Sequence, residues 1–323
     1  MKQSPQVKPV GASTFLNPFA KDIIILFMGG FLLSRAITKH GIDKAIAGKV
    51  LRPFTRSPLL LIYGLLGISA FFSMWMSNTA TAAMMIAITG PLLKKLPEGD
   101  RFHKAIVLAV PFGANIGGIG TPIGTPPNAI AYGALNAAGY EVTFLKWMLV
   151  VVPLEILILA VVGLILYVFF KPAPNYTIGE LEPPGTIPVR GKVTLIILGV
   201  TVVLWRTGGQ HGIRPGAVAL LAAAALTALR VLDCRDVDSI DWNILILIWG
   251  GLALAVAMKQ SELMAYIGRT DWVTPLGGTW GVAIVIVLIS LTISTFMSNT
   301  ATAALLVPMT LALPLPGKEQ FAM

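Results

Sequence analysis

Apolar stretches separated by short polar clusters run along the whole chain. A membrane-spanning helix needs roughly 20 apolar residues, and the stretches that approach this length lie at 22–38, 147–170, 192–205 with its flanks, 216–232 and 242–258. Soluble domains carry about 25% charged residues, whereas this chain is 12% charged and 55% hydrophobic, with a mean hydropathy of +0.79. The pattern predicts an all-α polytopic membrane protein, which we expect in a bacterial-type inner membrane.

One polar cluster occurs twice in the chain. The octapeptide Met-Ser-Asn-Thr-Ala-Thr-Ala-Ala stands at 76–83 and again at 297–304, an offset of 221 residues. Self-similarity at a fixed offset indicates a duplicated structural unit, and we assign the first repeat to 1–170 and the second to 192–323. The same offset relates other residues, namely Gly29-Gly30 to Gly250-Gly251 and Ser73 to Ser294.

Each octapeptide lies inside an apolar segment that is too short for two full spans. After Thr79, only about 14 apolar residues precede Lys94, and these cover ~21 Å at 1.5 Å per residue. Two full helices joined by a surface turn would need more than that. We therefore expect re-entrant helical hairpins at 58–93 and 280–313, with tips inside the membrane where backbone lines a cavity or is buried in protein.

A third irregular segment, 114–128, is rich in glycine and proline and separates two apolar half-spans. Such a sequence cannot continue a helix. We predict a broken helix over 105–139 with an unwound centre, the kind of element that forms ion and substrate sites in transporters.

Basic residues indicate the orientation of the two repeats. A basic loop marks the cytoplasmic side, and counting crossings from the loop after the first stretch orients 242–258 opposite to 22–38, which makes the repeats inverted. The Pro-rich segment 171–191 is predicted to be a cytoplasmic linker. The acidic stretch 233–238 on the same side does not support the assignment. The basic residues of the loop are Lys39, Lys44, Lys49, Arg52 and Arg56.

Net charge and cysteine content exclude some partners and sites. The formal charge of +9 fits basic loops facing anionic lipid, so we expect a bilayer and no nucleic acid as partner. Cys234 is the single cysteine, which excludes an internal disulfide. We expect no cleavable signal, because residues 1–17 lack an apolar core of that length. The image of 115–128 under the repeat offset would lie beyond residue 323, and helices like those at 192–232 are missing before the first copy, so we expect a chain shortened at both ends.

The two Ser-Asn-Thr tips predict an anion site. We expect a helix to start after each tip, at Ala80 and Ala301, where free N–H groups and the helix dipole favour negative charge. The side chains of Asn78, Thr79, Asn299 and Thr300 add donors for a carboxylate. Neither hairpin core nor segment 115–128 contains Arg or Lys.

Oxygen atoms in the same region suit a hard cation such as Na⁺. Ser73 and Ser77 lie one helical turn apart on one face, Asn78 supplies an amide oxygen, and the Gly-rich segment supplies carbonyls. A bound cation would offset the cost of placing an anion in low dielectric. The alternative for an isolated serine is a hydrogen bond to its own helix backbone.

Glu155 is a carboxylate inside an apolar stretch. Residues of this kind mark functional sites, although pairing with a neighbouring helix is the other interpretation. Ser77 has no nearby His, Lys or Asp to activate it as a nucleophile, so a membrane enzyme is disfavoured.

With these residues in place, the chain resembles the divalent anion/sodium symporters, the carriers of dicarboxylates, citrate and sulfate. The resemblance rests on Ser77-Asn78-Thr79, its copy Ser298-Asn299-Thr300, and the segment Gly117–Asn128. It implies a homodimer that moves a small anionic substrate by an elevator motion. It also implies Na⁺ ligands and substrate contacts. The Na⁺ ligands would be Ser73, Ser77, Asn78, Gly124 and Asn128 for one ion, and Ser294 and Asn299 for another. The substrate contacts would be Asn78, Thr79, Asn299, Thr300, Thr125 and Pro126.

The functional hypothesis is therefore a secondary active transporter that couples Na⁺ to a di- or tricarboxylate or a sulfate-like anion, and not an enzyme. A Na⁺-independent anion exchanger on the same scaffold, or a non-transporting truncated remnant, are the alternatives.

Overall fold

The computed structural model describes residues 11–94, 96–97, 99–172, 185–261 and 278–313. These residues form α-helices joined by turns and short 3-10 segments, with no strand among them, which confirms the all-α prediction. The helices are α1 Ala12–Leu16, α2 Asp22–Lys39, α3 Ile42–Leu51, α4 Pro58–Ser73, α5 Asn78–Lys94, α6 Phe102–Gly117, α7 Pro126–Ala137, α8 Phe144–Phe169, α9 Val189–Arg206, α10 Gly208–His211, α11 Pro215–Ala228, α12 Cys234–Asp238, α13 Trp242–Gln260, α14 Thr279–Phe296 and α15 Asn299–Ala312. The 3-10 segments are Asn17–Ala20, Arg52–Arg56 and Gly118–Gly120.

Among the residues that the structure describes, two helices are long and apolar enough to cross a membrane, Phe102–Gly120 and Phe144–Phe169. A third span results if Ala12–Ala20 and Asp22–Lys39, which meet at an angle of 40°, are taken as one broken element. The remaining apolar helices are shorter, as in α4, α11 and α15. The prediction of a polytopic membrane protein is confirmed.

The described residues fall into two compact units whose segments alternate along the chain. Unit A consists of the described residues within 1–25, 126–142 and 241–323, and unit B of those within 26–125 and 143–240. Each unit therefore contains parts of both predicted repeats.

The core of unit B is the contact between α4 and α6. A Cβ atom added to Gly113 would lie 2.6 Å from the carbonyl oxygen of Leu66, and one added to Gly117 would overlap the backbone of Ala70. Glycine thus allows the two backbones to touch. Large side chains from α4 and α6 fill the space around this contact and are fully buried, among them Leu61, Ile62, Leu65, Leu66, Phe102 and Ile106.

In unit A, helices α7, α13 and α15 pack together. Gly251 of α13 is the contact point, since its added Cβ would lie 3.1 Å from Cβ of Ala304 and 3.4 Å from Cδ1 of Ile130. The indole of Trp249 donates a hydrogen bond of 3.0 Å to the carbonyl of Phe15, which holds the N-terminal segment against α13.

Several element boundaries differ from the sequence expectation. The basic loop contains helix α3, which buries Ile42 and Leu51 in the core of unit B. The stretch expected to be helical over 216–232 stops at Ala228, because Arg230 takes a left-handed φ of 54° and the N–H groups of Val231 and Leu232 bond back to Leu226. This closure satisfies carbonyls at the helix end.

One other expectation falls partly outside the described residues. The predicted linker 171–191 is described only at 171–172 and from 185 onward, and Val189 already belongs to α9.

The acidic stretch that did not fit the charge pattern forms ion pairs. Asp236 accepts a hydrogen bond of 3.0 Å from Arg35 and also pairs with Lys39, and Lys39 contacts Asp233 at 3.0 Å. Burial raises the pKa of Asp236, but the hydrogen bonds from Lys39, from the Asp233 N–H and from Arg35 outweigh it, so the pKa lies below its ordinary value. Ion pairs therefore connect the end of α2 to helix α12.

Candidate functional site

Each Ser-Asn-Thr cluster begins a helix with its serine as the N-cap. The Ser77 hydroxyl accepts from the N–H of Ala80 at 3.2 Å, and the Ser298 hydroxyl accepts from the N–H of Ala301 at 3.1 Å. Helices α5 and α15 consequently start at Asn78 and Asn299. The predicted starts at Ala80 and Ala301 were two residues too late, because serine capping extends the helix backward.

Asn78 is held from both ends of its amide. Its Oδ1 accepts a hydrogen bond of 2.7 Å from the Ser73 hydroxyl, and its Nδ2 donates one of 3.1 Å to Oδ1 of Asn115. Ser73 is fully buried at the end of α4, and Asn115 is exposed near the end of α6. The turn between α4 and α5 is thereby tied to the helix that breaks.

Two glycines allow close packing around Asn78 and Ser73. A Cβ added to Gly118 would lie 2.6 Å from Oδ1 of Asn78 and 2.7 Å from Cγ2 of Thr125. One added to Gly124 would overlap the Gly118 carbonyl and lie 3.2 Å from the carbonyl oxygen of Ser73. We call Ser73, Asn78, Gly118, Gly124 and Thr125 the oxygen cluster. It combines a hydroxyl, an amide oxygen and main-chain carbonyls, which are the ligands that hard cations prefer.

The unwound segment between α6 and α7 is fixed by contacts from two other helices. The Thr121 hydroxyl donates to the carbonyl of Met74 at 2.6 Å, and the Trp147 indole donates to the carbonyl of Ile119 at 3.0 Å. Glu155, also in α8, contacts Gly120. The carbonyl of Ile119, freed by the break, is thus satisfied by the indole, as buried backbone requires.

The second Ser-Asn-Thr turn, in unit A, differs from the first in its hydrogen bonds. The Ser294 hydroxyl donates to the carbonyl of Leu291 at 3.1 Å, and within the described residues it makes no bond to Asn299. Asn299 is exposed, while Thr300 and Thr302 are buried. Identical sequence therefore adopts the same capped turn but a different side-chain arrangement.

The predicted site residues are divided between the two compact units. Asn128 is buried in the first turn of α7, two residues after Pro126 begins that helix. Unit B holds Ser73, Ser77, Asn78, Thr79, Gly124 and Thr125, and unit A holds Pro126, Asn128, Ser294, Asn299 and Thr300.

Three residues of this region were not singled out from the sequence. Asn115 lies within the Gly-rich segment and carries a side-chain amide, and these two features were the signal by which the sequence would have identified it. Thr121 and Trp147 form hydrogen bonds with residues 47 and 28 positions away. A local sequence pattern cannot predict hydrogen bonds between such distant residues.

A helical membrane protein in which one helix is unwound at a Gly-rich centre, beside a capped helical turn rich in oxygen atoms, has the architecture of a secondary transporter. Comparison with known sequences identifies the family. The citrate transporter family matches residues 4–320, and the chain belongs to it. The resemblance to divalent anion carriers is confirmed, and the chain is a multi-pass integral membrane protein.

Relatives of known sequence are also transporters. An uncharacterized transporter of Haemophilus influenzae is 33% identical over 93% of this chain and 68% of its own length. The sodium-dependent dicarboxylate transporter SdcS of Staphylococcus saprophyticus is 31% identical over 93% of this chain and 66% of its own length. The protein of that name from Staphylococcus aureus USA300 is 31% identical over 90% and 63%. The chain thus spans about two thirds of the relatives it matches.

Proposed function

We propose that the chain acts as a secondary active transporter that uses a Na⁺ gradient to move a di- or tricarboxylate, or a similar dianion, by an elevator motion in a homodimer. The observation that carries the proposal is the oxygen cluster, in which the Ser73 hydroxyl bonds the Asn78 amide oxygen at 2.7 Å and the carbonyls of Gly118 and Ser73 lie against Gly124. The relatives named as sodium-dependent dicarboxylate transporters support it.

For the first Na⁺ we propose Ser73, Ser77, Asn78, Gly124 and Asn128 as ligands. Gly118 and Gly124 leave no room for side chains around Asn78 and Ser73, so main-chain oxygens approach a small ion closely. All five ligands are neutral, so the positive charge of the bound ion would not be cancelled and would attract the anionic substrate. For a second Na⁺ we propose Ser294 and Asn299, by their equivalence to Ser73 and Asn78.

For the anion we propose the first turns of α5 and α15. The capping serine of each helix satisfies one free N–H group, and the remaining N–H groups and the positive helix ends attract carboxylate. Asn78, Thr79, Asn299 and Thr300 would add side-chain donors, with Thr125 and Pro126 shaping the unit B part of the site. Thr79 is exposed at its turn, where a substrate can reach its side chain.

Coupling follows from charge. A dianion in a low-dielectric site is costly unless a cation accompanies it. Na⁺ held by neutral oxygens supplies that charge, so each ion raises the affinity for the other, and the two effects are equal in free energy.

Transport by the purified chain in proteoliposomes tests the proposal. An inward Na⁺ gradient is expected to drive uptake of succinate or citrate, and Asn78→Ala or Thr79→Ala to abolish it while leaving the protein folded in detergent. Asn243→Ala, which changes an exposed asparagine of α13, is the matched control and should transport normally.

If uptake does not depend on the Na⁺ gradient but requires an anion inside the vesicles, the proposed mechanism of Na⁺ symport is wrong and anion exchange takes its place. Wild-type rates in Asn78→Ala would contradict the site assignment, whichever ion drives transport.

A further inference from the structure

Glu155 is buried in the protein although it lies on a helix that mostly faces outward. It sits about 17 Å from the start of α8, a helix of about 39 Å at 1.5 Å per residue, and is thus near the middle of the span. Its side chain is 2% exposed, whereas its neighbours Leu154, Ile156 and Leu157 are 53%, 61% and 61% exposed. The carboxyl group is therefore directed to the interior of unit B at membrane depth.

The Glu155 carboxyl contacts the unwound segment. Its Oε2 lies against Gly120, at the position that a Cβ of that residue would take, together with Cε of Met74. Among the described residues, Oε2 is buried and has no hydrogen-bond partner, and Glu155 forms no ion pair. A negative charge on Oε2 would have no hydrogen-bond donor among the described residues to stabilise it.

No basic side chain of the surrounding helices offsets that charge. The elements packed on α8 are α4, α6, α9 and the Gly118–Gly120 turn, and none of their titratable groups bonds to Glu155 within the described structure. Tyr63 of α4 donates instead to the carbonyl of Ala160 at 2.9 Å. The other groups, placed toward helix ends, are His103 and Lys104 of α6, Arg190, Lys192 and Arg206 of α9, and Lys146 and Tyr167 of α8 itself.

A buried carboxyl group without a partner takes up a proton instead of keeping its charge. The turn that it contacts is also the turn that contacts the oxygen cluster, because Gly118 lies against Asn78 and Gly120, two residues on, lies against Glu155. The Gly118–Gly120 turn therefore has Asn78 at one end and Glu155 at the other.

We propose that Glu155 is a proton-binding site, and that release of its proton is linked through the Gly118–Gly120 turn to cation binding at the oxygen cluster. The linkage rests on the proposed Na⁺ function; the proton site does not. In the step itself the O–H bond of Glu155 breaks, the proton passes to water, and the carboxylate remains. Since one positive charge enters as another leaves, the net charge of this low-dielectric region is unchanged.

The linkage has a sign. Because Na⁺ binding expels the proton, lowering the pH weakens Na⁺ affinity, by up to about tenfold per pH unit for a single proton. Glu155→Gln has no proton to release, so its Na⁺ affinity is expected to be independent of pH. Glu155→Asp keeps a carboxyl group and is expected to restore the pH dependence.

Two measurements on the purified chain test this proposal. Infrared difference spectra are expected to show the C=O band of a protonated carboxyl in the wild type, absent from Glu155→Gln and diminished when Na⁺ is added. Na⁺ titrations followed by tryptophan fluorescence give the affinity at each pH, and Trp147, bonded to Ile119 of the turn, is placed to report it. Glu141→Gln, which changes an exposed glutamate, is the matched control and should behave as the wild type.

The possible outcomes test the proton site and its linkage to Na⁺ binding separately. If Glu155→Gln leaves the carboxyl band unchanged, the proton site is wrong, whatever the Na⁺ result. If the band belongs to Glu155 but does not respond to Na⁺, or if the pH dependence of Na⁺ affinity persists in Glu155→Gln, the linkage is overturned. If the wild type shows no Na⁺ response at any pH, the Na⁺ part of the proposed function fails along with the linkage, and the infrared band still decides the proton site.

Discussion

Gly118→Ala perturbs the candidate cation site without changing any polar atom. Gly118 has φ −58° and ψ −23°, a conformation that alanine adopts freely, so the backbone is not strained. The added methyl group would lie 2.6 Å from Oδ1 of Asn78 and 2.7 Å from Cγ2 of Thr125. Both distances are well inside van der Waals contact, so the Asn78 amide must move.

The size of the effect follows from the bond that is lost. Displacing Oδ1 of Asn78 breaks its 2.7 Å hydrogen bond with Ser73, which contributes about 1 kcal/mol. If Na⁺ binding requires this arrangement, the loss weakens Na⁺ affinity about fivefold. The assay is the half-saturating Na⁺ concentration for succinate uptake in proteoliposomes, with thermal unfolding in detergent measured alongside.

Gly67→Ala is the control for this experiment. Gly67 is an exposed residue of α4, and a Cβ there meets nothing within 4 Å. Alanine should leave Na⁺ dependence unchanged and stabilise the helix by up to about 1 kcal/mol. The reasoning is refuted if Gly118→Ala keeps the wild-type Na⁺ dependence, or if both variants shift it equally.

Two further predictions concern stability in detergent, measured by thermal unfolding. Asp236→Asn removes the carboxylate that pairs with two basic residues of α2, and should cost about 2 kcal/mol at neutral pH. Because the pKa of Asp236 is lowered in the folded state, its contribution is full above the unfolded-state pKa and disappears as the pH falls through the folded-state pKa. A difference from wild type that persists in strong acid, or an equal loss in the exposed control Asp238→Asn, would contradict this. Gly117→Ala places a methyl group on the Ala70 backbone and should cost about 1–3 kcal/mol by overpacking, while Gly199→Ala, with nothing within 4 Å, should cost nothing.

Local chemistry made part of the architecture predictable. Glycine and proline cannot continue a helix, so the break after Gly117 and the restart at Pro126 follow from residue types alone. The duplicated octapeptide predicted two equivalent turns, and both turns are capped by their serines. The fold class and the family follow from the same features.

Long-range contacts were not predictable in this way. Helix α3 lies in a segment interpreted as a basic loop, because its apolar residues are few and become a buried face only when α4 packs against them. Asp236 is neutralised by Arg35, 201 positions away, and the acidic stretch therefore looked anomalous in a charge count along the chain.

By itself, the sequence determined where the helices break, which turns repeat, and that the chain lives in a bilayer, since backbone chemistry and hydropathy act between near neighbours. Only the tertiary structure decided that Asn78 is clamped between Ser73 and Asn115, that the two identical turns differ in their side-chain bonds, and that Glu155 faces Gly120 instead of lipid. These are properties of packing, in which the direction of a side chain depends on which distant helix fills the space beside it.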